Sequence, residues 1–257
     1  MRAGSVGLDL QGPLAVVTLD FPPLNALDLE ARLELGEVFA MLERRLEQVR
    51  VVILRGTPGG SFSAGADLAQ LLELTPSRAL DYILASQRVY ARIAAFPRPV
   101  IAAIEGYCLG GGLELALYCD LRYADPGARL GFPEARFSLF PGNGGLRRAL
   151  RYASLSAVKD LAYSGRIIEA ARAERLGLLD QVTPPGGAMK TARQAAERIA
   201  AQGMEGVSAA KQVLEGEQDI LAALEGDRRR WAGLVCSPEA KQAMRAFLAR
   251  RRRSAAS

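Results

Sequence analysis

Runs of consecutive apolar residues predict three buried strands in the first half of the chain. The runs cover Leu14–Leu19, Val51–Leu54 and Pro99–Ile104, and glycine or proline bounds each of them. Strands that are apolar on both faces are typical of a parallel sheet covered on both sides. The pattern therefore predicts helices packed above and below such a sheet.

The segments between these strands have helical periodicity. From Leu35 to Leu46 apolar residues recur at i, i+4, i+7 and i+11, and Asp28 can cap the helix that they indicate. A second helix is predicted over about residues 78–95. From about residue 144 onward the strand signals fade and helical patterns dominate. Strands alternating with helices predict an α/β fold.

The chain has 257 residues, of which 49% are apolar and 24% are charged. This length and composition are typical of one large globular domain, or of one domain with a small addition. We predict a core over residues 1–190 and a helical C-terminal region over residues 191–257.

The sequence contains no histidine. Serine and cysteine nucleophiles activated by imidazole, and HExxH zinc sites, are therefore excluded, and no metal site is expected. Proton transfer must use another group, such as a carboxylate, an amine, a phenol or bound water.

Three cysteines in no CxxC arrangement, and a start without a long apolar run, favour a reducing compartment, and we expect a cytoplasmic protein. No apolar run approaches the roughly 18 residues that span a bilayer, so no membrane association is expected.

The net charge is +5, with arginines concentrated in residues 228–230 and 250–253. A basic balance favours polyanions or phosphorylated small molecules without selecting between them.

Ser61–Leu68 is the first of three segments that could hold a ligand. Its small residues Ala64, Gly65 and Ala66 would let a ligand approach the backbone, and Asp67 can cap a following helix. A tight turn between a strand and a helix explains the same residues equally well.

The second segment, Gly106–Leu117, carries three consecutive glycines and then a helix that is apolar on nearly every side. Three glycines cost backbone entropy unless a positive φ or a close approach requires them. Glu114 lies inside this helix, where burial would raise its pKa and suit it to acid–base catalysis. An ion pair with an arginine, or escape to solvent, is the alternative.

The third segment comprises Gly131–Glu134 and Phe140–Arg148. Glu134 follows a proline at a turn among apolar neighbours, although most glutamates in turns are ordinary surface residues. The run Gly142–Gly145 could form an anion-binding nest or a flexible turn. None of the three segments matches a dinucleotide or P-loop motif.

In this order, the segments resemble those of the crotonase (enoyl-CoA hydratase/isomerase) family. The resemblance runs through nearly the whole chain and rests on Asn25–Leu27, Phe62–Leu68, Pro99–Ala103, Gly106, Gly110–Ala116, Pro133–Glu134, Pro141–Gly142, Gly144–Gly145, Gly165–Arg166, Ala170–Ala171, Ala173, Leu176–Leu178 and Arg245–Leu248.

The resemblance implies a crotonase-like spiral of ββα units with a helical C-terminal region used in trimerisation. It implies an acyl-CoA thioester as substrate, no cofactor apart from the CoA of the substrate, and a homotrimer or hexamer. The N–H groups of Ala66 and Gly111 would form an oxyanion hole, and Glu114 and Glu134 would be the acid–base pair. The substrate-binding positions would be Ala26, Leu27, Ala64, Ala66, Asp67, Leu68, Gly111 and Pro133.

Both carboxylates together favour an enoyl-CoA hydratase, a hydro-lyase that adds water to a 2-enoyl-CoA. An isomerase and a C–C bond cleaving or ring-processing enzyme remain alternatives within the family. RNA binding through the arginine clusters is a minor alternative, because few aromatics are available for stacking and none interleaves with either cluster. Departures from the family pattern at Ala69, Arg136, Ser138 and Leu146, and in the arginine-rich tail, leave the acyl group and the CoA phosphate contacts open.

Overall fold

The fold is described from a computed structural model, which covers residues 5–216 and 220–254. The strands are β1 (Ser5–Gln11), β2 (Leu14–Asp20), β3 (Ala26–Leu27), β4 (Val51–Gly56), β5 (Gly65–Ala66), β6 (Val100–Ile104), β7 (Tyr107–Leu109), β8 (Leu121–Ala124), β9 (Arg129–Gly131), β10 (Ile167–Glu169) and β11 (Gln181–Val182).

Helices surround these strands and form most of the C-terminal part. They are α1 (Leu29–Glu43), α2 (Leu68–Leu72), α3 (Pro76–Ala95), α4 (Gly111–Leu117), the 3₁₀ helix Pro133–Phe137, α5 (Gly145–Ala149), α6 (Leu155–Ser164), α7 (Ala170–Arg175), α8 (Ala188–Ala200), α9 (Met204–Glu215), α10 (Ile220–Ala223), α11 (Glu225–Val235) and α12 (Pro238–Ser254).

The main sheet has six strands in the order β1-β2-β4-β6-β8-β11. Strand β1 is antiparallel to β2, and all the other neighbours are parallel, as the continuous apolar runs predict. Alternate residues of β4 face opposite sides, so Val52 and Leu54 enter the larger core while Val51 and Ile53 enter a second one. Helix α8 closes this second core with four buried alanines, Ala192, Ala195, Ala196 and Ala200.

Two small sheets bring the glycine segments together. Strand β3 pairs with β5, and β7 pairs with β9, which in turn pairs with β10. Because these strands are only two or three residues long, their pairing serves mainly to fix the loops and helix starts that follow them. The ends of β5 and β7 lead directly into α2 and α4.

The predicted helices and core strands are present, with small shifts at their ends. Asp28 caps α1, and its Oδ1 accepts a hydrogen bond of 2.7 Å from the Ala31 amide. The prediction that the helix reaches Leu46 is wrong, because α1 ends at Glu43. Strands β10 and β11 lie beyond residue 144, where strand signals fade in the sequence, and each is too short to give a pattern of its own.

The division of the chain at residue 190 stays a prediction. Helix α8 begins at Ala188 and packs on β4, β6 and β8, so it extends across this position. Within residues 5–216 and 220–254, no helix is both long enough and apolar enough to cross a membrane.

Candidate active site

The start of α4 and strand β5 form one side of the candidate site. Gly110 has φ +51°, in the region that favours glycine, and it precedes the first helical residue, Gly111. A β-carbon added at Gly111 would lie 3.8 Å from the Ala66 nitrogen, so the backbones of the two residues are adjacent. The first N–H groups of a helix have no partner within the helix.

Glu114 lies one turn further along α4, and all seven residues of this helix are buried. The Glu114 side chain is 1% exposed and forms no ion pair among the described residues. Its Oε1 accepts hydrogen bonds of 2.9 Å from the amides of Asn143 and Gly145. Its Oε2 accepts a bond of 2.8 Å from Asn143 Nδ2. Within residues 5–216 and 220–254, neither alternative open from the sequence, solvent exposure or an arginine ion pair, is therefore observed for Glu114.

Burial raises the pKa of Glu114, while hydrogen bonds from Asn143 and Gly145 and the charge of Arg32 oppose the increase. The space around the carboxylate is tight, since a β-carbon at Gly145 would lie 2.3 Å from Glu114 Cγ. Glu114 is thus held in one place by groups that favour its ionised form.

Glu134 lies in the 3₁₀ helix that follows β9. Its carboxylate contacts Gly110, where an added β-carbon would lie 2.6 Å from Glu134 Oε1. Glu134 Oε2 is buried and has no hydrogen-bond partner among the described residues. Burial and then the charge of Glu114 hold the pKa of Glu134 well above its usual value. This environment favours a protonated carboxyl group.

The residues suggested for the site therefore lie on converging segments. Gly111 lies next to Ala66, Glu134 lies against the glycine that precedes Gly111, and Glu114 influences Glu134 electrostatically. Ala26 and Leu27 form β3, which pairs with Gly65 and Ala66. The amide of Ala64 donates to Leu24 O, Asp67 caps α2 before Leu68, and Pro133 begins the 3₁₀ helix.

Three polar residues behind Glu114 were not foreseen from the sequence. They are Arg32, Ser86 and Asn143, which come from α1, α3 and the loop before α5, and all three are buried. A signal did exist for one of them. Arg32 lies three residues before Leu35 and shares the apolar face of α1, where an arginine is unusual.

Comparison with known proteins gives a consistent match over the chain. The family model for enoyl-CoA hydratase/isomerase matches residues 9–254. The chain belongs to the enoyl-CoA hydratase/isomerase family. The short-chain-enoyl-CoA hydratase of Clostridium acetobutylicum is 34% identical, with 98% of this chain and 97% of that protein covered.

Two further relatives agree with this membership. The crotonyl-CoA hydratase of Syntrophomonas wolfei is 33% identical over 98% of each chain. The crystal structure of an enoyl-CoA hydratase from Bacillus anthracis superposes with a TM-score of 0.79 at 30% identity and covers 96% of each chain. The crotonase fold expected from the sequence motifs is thereby confirmed, including the helical C-terminal region.

Proposed function

We propose that this member of the family is an enoyl-CoA hydratase, which reversibly adds water to the double bond of a 2-enoyl-CoA thioester. The observation that carries the proposal is the pair of neighbouring carboxylates with opposite hydrogen-bond environments. Glu114 accepts three hydrogen bonds, whereas Glu134 Oε2 is buried and has no partner among the described residues. The names of the Clostridium and Syntrophomonas relatives, both hydratases, support the same reaction.

The thioester oxygen is held by the N–H groups of Ala66 and Gly111. These backbones are adjacent, and Gly111 is the first residue of α4, so its amide is not used inside the helix. Fixed donors of this kind stabilise the enolate that develops when the β-carbon is attacked. In acyl chemistry, losing one such donor costs about 3–4 kcal/mol of transition-state stabilisation.

The two carboxylates divide the proton transfers between them. Glu114, in its ionised form, accepts a proton from water as the water oxygen bonds to Cβ. Glu134, in its protonated form, then delivers its proton to Cα of the enolate. The product gains one OH and one H, and a proton passing from Glu114 to Glu134 or through solvent restores the starting state. Dehydration follows the same steps in reverse.

The proposal also assigns the residues that contact the substrate. Ala26, Leu27, Ala64, Asp67, Leu68 and Pro133 line the path of the CoA thioester, and no cofactor is required beyond the CoA of the substrate.

We also propose a homotrimer or a hexamer, which light scattering after gel filtration would test. A cytoplasmic location fits the three free cysteines, which suit a reducing compartment.

The test is hydration of crotonyl-CoA, followed as the loss of enoyl absorbance. We expect kcat to fall about 100-fold or more in Glu114→Gln and in Glu134→Gln, because each removes a group that transfers a proton. Glu169→Gln is the matched control, since the Glu169 side chain is 72% exposed and its carboxylate pairs with Arg129 at the surface. Unchanged turnover in both site variants would contradict the proposed roles.

The same variants separate the alternatives within the family. An isomerase would convert a 3-enoyl-CoA and retain turnover in Glu114→Gln, whereas a C–C bond cleaving enzyme would leave crotonyl-CoA unhydrated. Nucleic acid stays a minor alternative as a partner, because no aromatic residue interleaves with Arg228–Arg230 and Arg228 donates to Gln87 within the chain. If the purified protein retained RNA and this retention fell steeply as the salt concentration rose, nucleic-acid binding would be supported instead.

A further inference from the structure

A continuous line of hydrogen bonds leads from a buried arginine to Glu114. Arg32 Nη1 donates to Ser86 Oγ at 2.6 Å, and Ser86 Oγ donates to Asn143 Oδ1 at 2.6 Å. Asn143 Nδ2 then donates to Glu114 Oε2 at 2.8 Å. Every donor in the line points towards the carboxylate, so each bond polarises the next in the same sense.

Within the described part of the chain, the charge of Arg32 has no direct counter-ion. Its side chain is 1% exposed, and no carboxylate of the described residues lies within ion-pair distance of it. A buried guanidinium is costly unless an opposite charge compensates it. The carboxylates that act on Arg32 electrostatically are Glu114 and, more weakly, Asp28. The line through Ser86 and Asn143 thus joins this cation to the main negative charge near it.

The same line controls which part of Glu114 can react. Both lone-pair directions of Oε1 are used by the amides of Asn143 and Gly145. Oε2 accepts one bond from Asn143 Nδ2, so one lone pair of Oε2 is left for a water molecule. All three groups bound to Glu114 are donors, and an ionised carboxylate satisfies them best.

We propose that Asn143, supported by Ser86 and Arg32, forms a positioning relay that keeps Glu114 ionised and presents a single lone pair to the reacting water. The three residues act through Glu114 and are therefore positioning residues. The proposal deepens the proposed function and rests on it for the identity of the reaction. The state of Glu114, however, can be measured without any substrate.

Arg32 is the cation among the titratable groups that act on Glu114. These groups come from α1, α3, the residue after α4 and the 3₁₀ helix, and they are Arg32, Tyr82, Tyr90, Tyr118 and Glu134. Burial raises the pKa of each tyrosine, so all three stay neutral in the range where carboxylates titrate. Loss of the relay should therefore be visible as a higher pKa of Glu114.

The test compares Ser86→Ala, Asn143→Ala and Arg32→Met with the wild-type chain. The matched control is Ser208→Ala, because Ser208 Oγ accepts a similar bond of 2.8 Å from Arg98 away from the site. The first measurement is the pH dependence of kcat and kcat/KM for crotonyl-CoA. The second is an infrared titration of the Glu114 carboxyl group without substrate, assigned by difference from Glu114→Gln.

We expect the acid limb of kcat/KM to move up by about one pH unit in the three relay variants, which is roughly a tenfold loss of rate below that limb. KM should change less than about twofold, because substrate contacts are intact. The infrared titration should move by the same amount. Arg32→Lys should restore part of the shift, since it retains the charge, and Ser208→Ala should not move either profile.

Two results would overturn the relay. One is an infrared titration of Glu114 that stays unchanged in folded Ser86→Ala and Asn143→Ala. The other is an equal shift in Ser208→Ala, which would indicate a general effect of losing a serine hydroxyl that binds an arginine. If the wild-type chain does not hydrate crotonyl-CoA, the proposed reaction fails, yet the infrared titration still decides whether Arg32 acts on Glu114.

Discussion

The surroundings of Glu114 and Glu134 differ in almost every respect, although the two carboxylates are neighbours. Glu114 lies on a fully buried helix and accepts bonds from Asn143 and Gly145. Glu134 lies in a 3₁₀ turn, and its buried Oε2 has no partner in the described part of the chain. The surroundings of Glu114 supply hydrogen-bond donors, whereas those of Glu134 bury Oε2 without offering it a partner from the described residues.

This difference is a physical basis for assigning one carboxylate as base and the other as acid. Burial alone raises the pKa of both groups. The donors around Glu114 oppose that increase, whereas the charge of Glu114 adds to it at Glu134. Neighbouring groups whose pKa values are driven apart in this way can hold one proton between them.

The largest effect on kcat should come from displacing Glu114, the carboxylate that is held by three hydrogen bonds. In Gly145→Ala the new β-carbon would lie 2.3 Å from Glu114 Cγ and 3.0 Å from Glu114 Cβ, so the Glu114 side chain or the backbone at residue 145 must shift. A displacement of about 1 Å is enough to lower kcat roughly 100-fold. The measurement is kcat for crotonyl-CoA together with a thermal melt.

Gly206→Ala in α9 is the control for this change, because no atom lies within 4 Å of the added carbon. It should keep full activity and melt at an equal or higher temperature, since alanine favours a helix over glycine. Full activity in folded Gly145→Ala would show that Glu114 does not need its present position.

A smaller effect, on stability, should have opposite signs in the two regions. Because the pKa of Glu134 is raised above 4.5, the folded chain holds a proton that the unfolded chain releases. Stability is therefore lost as the pH rises from about 4.5 through the raised pKa. Glu134→Gln removes this loss, and at pH 8 it should be more stable than wild type by on the order of 1 kcal/mol.

Glu114→Gln should be less stable than wild type at the same pH. The new amide N–H would face one of three donors that now bind the carboxylate. Denaturant unfolding of both variants at pH 5 and pH 8 measures the difference. If Glu134→Gln were less stable than wild type at pH 8, the inference that the ionised Glu134 side chain destabilises the folded chain would be contradicted.

The smallest effect should come from the turn that carries Glu134. Ser138 ends the 3₁₀ helix with φ +56°, a left-handed conformation that costs energy for a residue with a β-carbon. Ser138→Gly should relieve this cost and stabilise the chain by roughly 0.5 kcal/mol, after the greater freedom of glycine in the unfolded state is subtracted. Thermal melts and kcat should show the gain without a change in turnover.

The main sheet could be predicted from the sequence because its central strands are apolar on both faces. Strands β4 and β6 are buried along almost their whole length, which gives continuous apolar runs. Strand β1 is not predicted from the sequence, because it lies at the edge of the sheet and most of its residues are exposed. The two-residue strands β3 and β5 give no periodic signal at all, since they form only when the rest of the chain brings them together.

The two parts of the site differ in the same way. A glutamate inside an apolar helix is visible in the sequence, and Glu114 is indeed buried. The relay behind it is not visible, because Arg32 and Ser86 are 54 residues apart and Ser86 and Asn143 are 57 residues apart. Such contacts depend on how α1 packs against α3, which local patterns do not specify.

Trp231 on α11 gives this molecule a built-in optical probe. It is the single tryptophan of the chain; it stacks on Tyr82 at 5.8 Å, and a β-carbon on Gly142 would lie 2.6 Å from its indole ring. The indole thus covers the backbone immediately before Asn143. Its fluorescence reports on one location, where helix α11 packs against Tyr82 and Gly142. A red shift of the emission would indicate that α11 has separated from these residues and exposed the indole to water.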